Sequence, residues 1–168
     1  RSTTGNLFDY VYWSSPVNGA TTPGGNIYAW DAVVGNPNGG QGNWYGAANT
    51  AMSAGIGYSM RDVFSRNFVG TPRNGIYNTA IQRGSDLGAG SVGPNGILRL
   101  NTDDNWNLLG NPYPSAISVS KFIAANPIID GFVRVWPHSS PLSSANADPF
   151  YNDFVYNFNA ADYITYNS

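Results

Sequence analysis

The stretch Trp106-Asn107-Leu108-Leu109-Gly110-Asn111-Pro112-Tyr113-Pro114-Ser115-Ala116-Ile117 decides how this chain is read. A short apolar run, Trp106, Leu108 and Leu109, stops at Gly110. Pro112 and Pro114 then fix φ and withdraw two backbone donors. Asn111 and Tyr113 each precede a proline and are driven to extended conformations. The spelling therefore predicts a strand that ends in a rigid, non-helical corner, with Trp106, Pro112 and Pro114 in structural roles.

Turn signals of the same kind recur in both directions from this corner. Asn18-Gly19, Asn38-Gly39, Asn74-Gly75 and Asn95-Gly96 are strong hairpin signals, because both residues of the pair tolerate positive φ. After Asn74-Gly75, the residues Tyr77, Thr79 and Ile81 alternate with Ile76, Asn78 and Ala80 as strand positions do. Strands are expected near 8–13, 27–31, 56–62, 66–69, 76–82, 97–101, 106–109, 132–136, 151–158 and 162–166. Many short strands joined by Gly/Pro turns predict an all-β chain, a β-sandwich of antiparallel strands. Trp13, Trp106 and Trp136 begin or end apolar strands and are expected in its core.

One helix is expected near 118–125. Ser118 or Ser120 can cap it, Val119, Phe122 and Ile123 share one face, and Asn126-Pro127 ends it. An internal echo divides the chain into two half-units, 8–83 and 97–168. Each has a proline corner (Pro16; Pro112 and Pro114), a strand near a Trp (Trp30; Trp136) and a later Tyr strand (Tyr58; Tyr163). The simplest organisation is one module over 1–168, with two fused half-units as the alternative.

Composition supports strands and excludes several function classes. The 168 residues are 42% hydrophobic and 14% aromatic but only 11% charged, with 20 Gly and 11 Pro. There is no Glu, one Lys (Lys121) and one His (His138), so surface helices lack their usual formers. A net charge of −2 with eight scattered cations offers no footprint for nucleic acid. No apolar run approaches the ~20 residues of a membrane-spanning helix. Zero cysteine removes disulfide and thiol chemistry.

The remaining chemistry is sparse. His138 beside Ser139 and Ser140 is the one drawable nucleophile–base pair, and neighbours in a proline-bracketed loop rarely face each other. Glycoside hydrolysis would have to use Asp residues alone, and most of these sit in turns. No catalytic residue, resident cofactor or metal is expected. Calcium on the hard oxygens of Asp103, Asp104 and Asn105 is a minor alternative. Trp44 and Tyr45, in a Gly-rich stretch read as a flexible loop, are the best candidates for an exposed ligand contact.

Several segments together carry a resemblance. They are Asp9 to Val17 (Asp-Tyr-Val-Tyr-Trp-Ser-Ser-Pro-Val), Tyr28 to Asp31, Met52 to Tyr58, Phe68 to Gly75 and the 106–117 stretch. Lys121 to Ile123, Phe132 to Trp136 and Asp162 to Ile164 then follow in order. The chain resembles a β-rich module of large surface and secreted proteins of Bacteroidota, especially flavobacterial substrates of the type IX secretion system. Arg73 falls at a variable position of that pattern. The resemblance implies an extracellular, cell-surface protein and a non-catalytic structural or adhesive role. Neighbouring domains of a longer polypeptide, other surface proteins or glycans would be its partners. A carbohydrate-binding module of a secreted polysaccharide-degrading enzyme is the alternative. In similar modules a Gly-Gln-Gly-Phe-Phe-like strand follows the second half, and its absence before Ser168 leads us to expect a fragment of a larger chain.

Overall fold

A computed structural model describes residues 10–35, 41–61, 66–83, 105–137, 143–145 and 162–167. They fall in two compact units, 1–114 and 115–168. The described residues are mostly strands in antiparallel sheets, with a single short helix among them.

The first unit is built on four strands: β1 (Val11–Trp13), β2 (Ile27–Gly35), β3 (Gln41–Gly46) and β4 (Tyr58–Met60). Their order in the sheet is β1-β4-β2-β3. The register places Trp13 opposite Tyr58, Val11 and Ile27 opposite Met60, Ala29 opposite Tyr45, and Trp30 opposite Trp44. Successive side chains on a strand point to opposite faces. Val11, Trp13, Ile27, Ala29, Tyr58 and Met60 therefore share one face, and all six are buried. Val17, Ala20, Ala47 and Met52 complete this core. Each large aliphatic side chain buried there contributes about 1.5–3 kcal/mol.

Beyond β1 the chain folds back through a serine turn. Ser15 Oγ donates to the Val17 carbonyl at 2.9 Å and accepts from the Val17 N–H at 3.2 Å. Residues 16–18 then lie against 71–73, through Asn18 N–H to Thr71 O and Arg73 N–H to Pro16 O, both 2.9 Å. The 106–110 run meets the residues before β4. Gly57 N–H donates to Leu108 O and Gly110 N–H to Gly55 O, each at 3.0 Å, around a single Ile56–Leu109 bridge.

In the second unit Ser118 caps α1 (Val119–Ala125) as the sequence predicts, its Oγ accepting from Lys121 N–H at 3.4 Å. Asn126 closes the helix by donating to Ile123 O at 3.0 Å. Ile123 is the buried residue of α1. The helix packs on β5 (Phe132–Val135) and β6 (Ile164–Asn167), which pair antiparallel.

Several expectations need correction. Residues 66–69 and 76–82 form no ladder among the described residues, and 106–109 contributes a bridge rather than a strand. The stretch 41–46, read as a flexible loop, is β3. Trp106 and Trp136 are half-buried rather than core. For Trp136 the reason is local: β5 and β6 form only a two-stranded sheet, which has little apolar face to bury against. The expected strands at 97–101 and 151–158, and residues 8–9, lie outside the described residues.

Candidate functional site

The face of the four-stranded sheet opposite the core is aromatic. Tyr12, Tyr28, Trp30 and Trp44 lie on it by register, with Tyr10 just before β1, and all five are half-buried. Their rings meet in two groups, a pair and a trio. Tyr10 meets Tyr28 with ring centres 6.2 Å apart, and Tyr12 meets Trp44 at 6.2 Å. Trp44 meets Trp30 edge-on at 5.1 Å. Arg61 lies 5.4 Å from the centre of the Tyr10 ring.

This surface is locked from three directions. Backbone ladders hold the strands. Trp30 Nε1–H donates to the Trp106 carbonyl at 2.7 Å. Gly42, at φ +93°, lies so close to the Trp30 ring that a Cβ there would collide with it. The glycine that suggested flexibility is required by this close approach.

The register separates the two residues that sequence reasoning paired. Trp44 stands on the aromatic face, whereas Tyr45 lies on the core side opposite Ala29 and is 53% exposed at the sheet edge. Neighbours in a strand cannot form one stacking platform. Trp44 acts instead with Trp30 and Tyr12.

A cavity of about 300 Å³ opens where β1 runs into the proline corner. Tyr12, Trp13, Phe68 and Tyr113 give it aromatic walls, and Pro16 and Pro114 add rigid apolar surface. Ser14, Asn111 and Arg66 supply its polar groups. The corner is pinned internally: Ser14 Oγ donates to Asn111 O at 2.9 Å, and Tyr113 N–H donates to Asn111 Oδ1 at 3.0 Å. Tyr113 Oη donates to Gly75 O at 2.8 Å, and its ring meets Tyr77 edge-on at 5.9 Å. Phe68 packs edge-on against Trp13 at 5.7 Å. Trp13 is 8% exposed, and its buried Nε1–H has no acceptor among the described residues. Pro112 is half-buried beside the cavity, and Trp136 stacks edge-on with Tyr163 at 5.1 Å in the second unit.

Arg73 ties Ser15 and Asn18 to Met52, which its place in a turn-like Thr-Pro-Arg-Asn-Gly run does not suggest. It is 6% exposed. Its guanidinium donates to Ser15 O at 2.8 Å, Met52 O at 3.0 Å and Asn18 Oδ1 at 3.1 Å. Five donors in a rigid fork suit such a set of divergent acceptors.

Among the described residues no group of three or more His, Cys, Asp or Glu side chains could hold a metal, and no helix is long and apolar enough to cross a membrane. His138, Asp103 and Asp104 lie outside the described residues. Asn105 is described and adopts φ +71°. The model of the family described as "Domain of unknown function (DUF8693)" matches residues 1–168. No curated protein and no solved structure matches the chain.

Proposed function

The chain belongs to the DUF8693 family, and from that footing we propose that it is a non-catalytic contact module of a large secreted surface protein, with adhesion or display as its work. The observation that carries this reading is the aromatic row Tyr10, Tyr28, Trp30, Trp44 and Tyr12 on the non-core face of a hydrogen-bonded sheet. Aromatic rings held rigid lose little entropy on binding and supply large contact area. Export by type IX secretion, a cell-surface location and neighbouring domains belong to the same proposal. Their support is the ordered set of segments from Asp9 to Ile164 that resembles exported modules of Bacteroidota. Protease treatment of intact producing cells tests it: the chain should be cleaved from the surface. Full protection until the cells are lysed would overturn the reading.

The second reading, a carbohydrate-binding module, is favoured by the position of Trp44. A flexible loop would have to be ordered before a sugar ring could stack on it, but β3 holds Trp44 against Trp30 in advance.

A further inference from the structure

We propose that Asn18 is a site of spontaneous deamidation, that Arg73 steers its product to aspartate, and that the new carboxylate becomes the counter-charge of the buried Arg73 guanidinium.

Arg73 carries a full charge at 6% exposure, and each acceptor it holds is neutral: Ser15 O, Met52 O and Asn18 Oδ1. No carboxylate pairs with it among the described residues. A buried cation without an anion is held at a cost that carbonyl dipoles only partly offset. Two of the acceptors are main-chain carbonyls and cannot change. The third is the side-chain amide of Asn18, and the next residue is Gly19. Exchange of that amide for a carboxylate would put negative charge on the group that already accepts from Arg73 Nε.

The local structure leaves the reaction open. Asn18 and Gly19 are both exposed, and Gly19 has φ +75° with no heavy atom within 4 Å of the place a Cβ would take. The Gly19 nitrogen is thus uncrowded, and its N–H makes no hydrogen bond among the described residues. Asn18 is held by its own N–H to Thr71 O at 2.9 Å and by Arg73 Nε–H to its Oδ1 at 3.1 Å. That guanidinium donor draws electrons from Cγ and faces the oxygen on which charge grows during attack, as donors in an oxyanion hole do.

The Gly19 nitrogen attacks Asn18 Cγ and gives its proton to solvent. The Cγ–Nδ2 bond breaks with release of ammonia and leaves a succinimide ring. Water then adds to one of the two ring carbonyl carbons and breaks its bond to the Gly19 nitrogen, which regains a proton. One water is consumed and one ammonia released, with no oxidation or reduction. Attack at the main-chain carbonyl gives isoaspartate, whereas attack at Cγ restores the normal backbone with aspartate. Of the two carbonyl oxygens, Arg73 bonds the one on Cγ, so it favours the second course.

Asn74-Gly75 is a built-in reference. It too is exposed, and Gly75 has φ +88° with open space at its Cβ position, but no side chain donates to Asn74 Oδ1 among the described residues. Peptide mapping of the folded chain after incubation at mildly alkaline pH tests the proposal, with electron-transfer fragmentation separating aspartate from isoaspartate at both pairs. Asn18 should convert with aspartate at least about threefold over isoaspartate, whereas Asn74 should give mainly isoaspartate. In urea, where Arg73 no longer reaches Asn18, the two sites should give the same ratio. Asn18→Asp, made directly, should melt about 2 °C or more above wild type. Asn18 remaining intact in the folded chain would overturn the site. An Asn18 product ratio equal to that of Asn74 in the folded chain would overturn the steering by Arg73. An Asn18→Asp variant that melts at or below wild type, or fails to fold, would overturn the counter-charge.

Discussion

Replacing Arg73 with Met keeps a long unbranched side chain in place but removes every donor. The guanidinium now serves Ser15 O, Met52 O and Asn18 Oδ1 at 2.8–3.1 Å, and the first two bonds are buried. Leaving a buried carbonyl without its donor costs about 1–3 kcal/mol, so the two backbone acceptors together give about 2–6 kcal/mol. Removing a charge from a site that is 6% exposed returns part of this, because holding a cation away from water is itself unfavourable. A net loss of about 3 kcal/mol remains, a large share of a typical stability of about 5–15 kcal/mol. For a chain of this length that corresponds to a fall in melting temperature of about 6–12 °C. Thermal denaturation followed in the near-ultraviolet, where the Trp13 and Phe68 packing contributes, measures it. Arg73→Lys should fall between the two, since one ammonium cannot span three divergent acceptors. An R73M variant melting within about 2 °C of wild type would refute the reasoning and show that dehydration of the charge cancels its hydrogen bonds.

Two further substitutions probe the corner and the aromatic face. Gly110→Ala would drive a Cβ into Ser14 and to 2.7 Å from the Ile56 carbonyl oxygen, so its urea midpoint should fall by the equivalent of about 2 kcal/mol; an unchanged midpoint would mean that the corner yields freely. Trp44→Ala removes an edge-on partner of Trp30 and should cost about 1–2 kcal/mol in the same assay, whereas a residue of a flexible loop would cost almost nothing.

What could be read in advance follows the range of the forces involved. The helix at 119–125 was legible because its determinants are local: a serine cap, apolar residues three and four apart, and Asn126-Pro127 at its end. Strands β1, β2, β4, β5 and β6 were legible from apolar and aromatic alternation. The segment 76–82 shows where that signal ends. Its exposure does alternate, with Tyr77, Thr79 and Ile81 half-buried and Ile76, Asn78 and Ala80 exposed, yet it joins no ladder among the described residues. Alternation reports a face, and pairing is decided by a partner elsewhere in the chain. β3 was missed for the opposite reason. Gly42 and Gly46 lower strand propensity, but Gly42 is the residue that leaves room for the Trp30 ring, and that ring lies on another strand. In the site, Trp44 could be singled out from the sequence but its ring neighbours Trp30 and Tyr12 could not, because a strand sends Tyr45 to the other face. Arg73 gave no signal, since its acceptors come from positions 15, 18 and 52.

The bond from Ser14 Oγ to the Asn111 carbonyl joins residues 97 apart in sequence, and Trp30 to Trp106 joins residues 76 apart. Both seams close the first unit with residues from its far end. A ribosome or a translocation pore delivers the chain in one direction, so β1 and β2 emerge long before the residues that seal them. The entropy of closing such long loops is met only late in synthesis, whereas the sheet and its buried cluster lie within residues 11–60. The two seams are therefore the last part of the unit to form. Fragments that stop before residue 105 should keep the sheet but leave Ser14 and Trp30 without these partners, and should be cut by protease faster than those that reach Pro114.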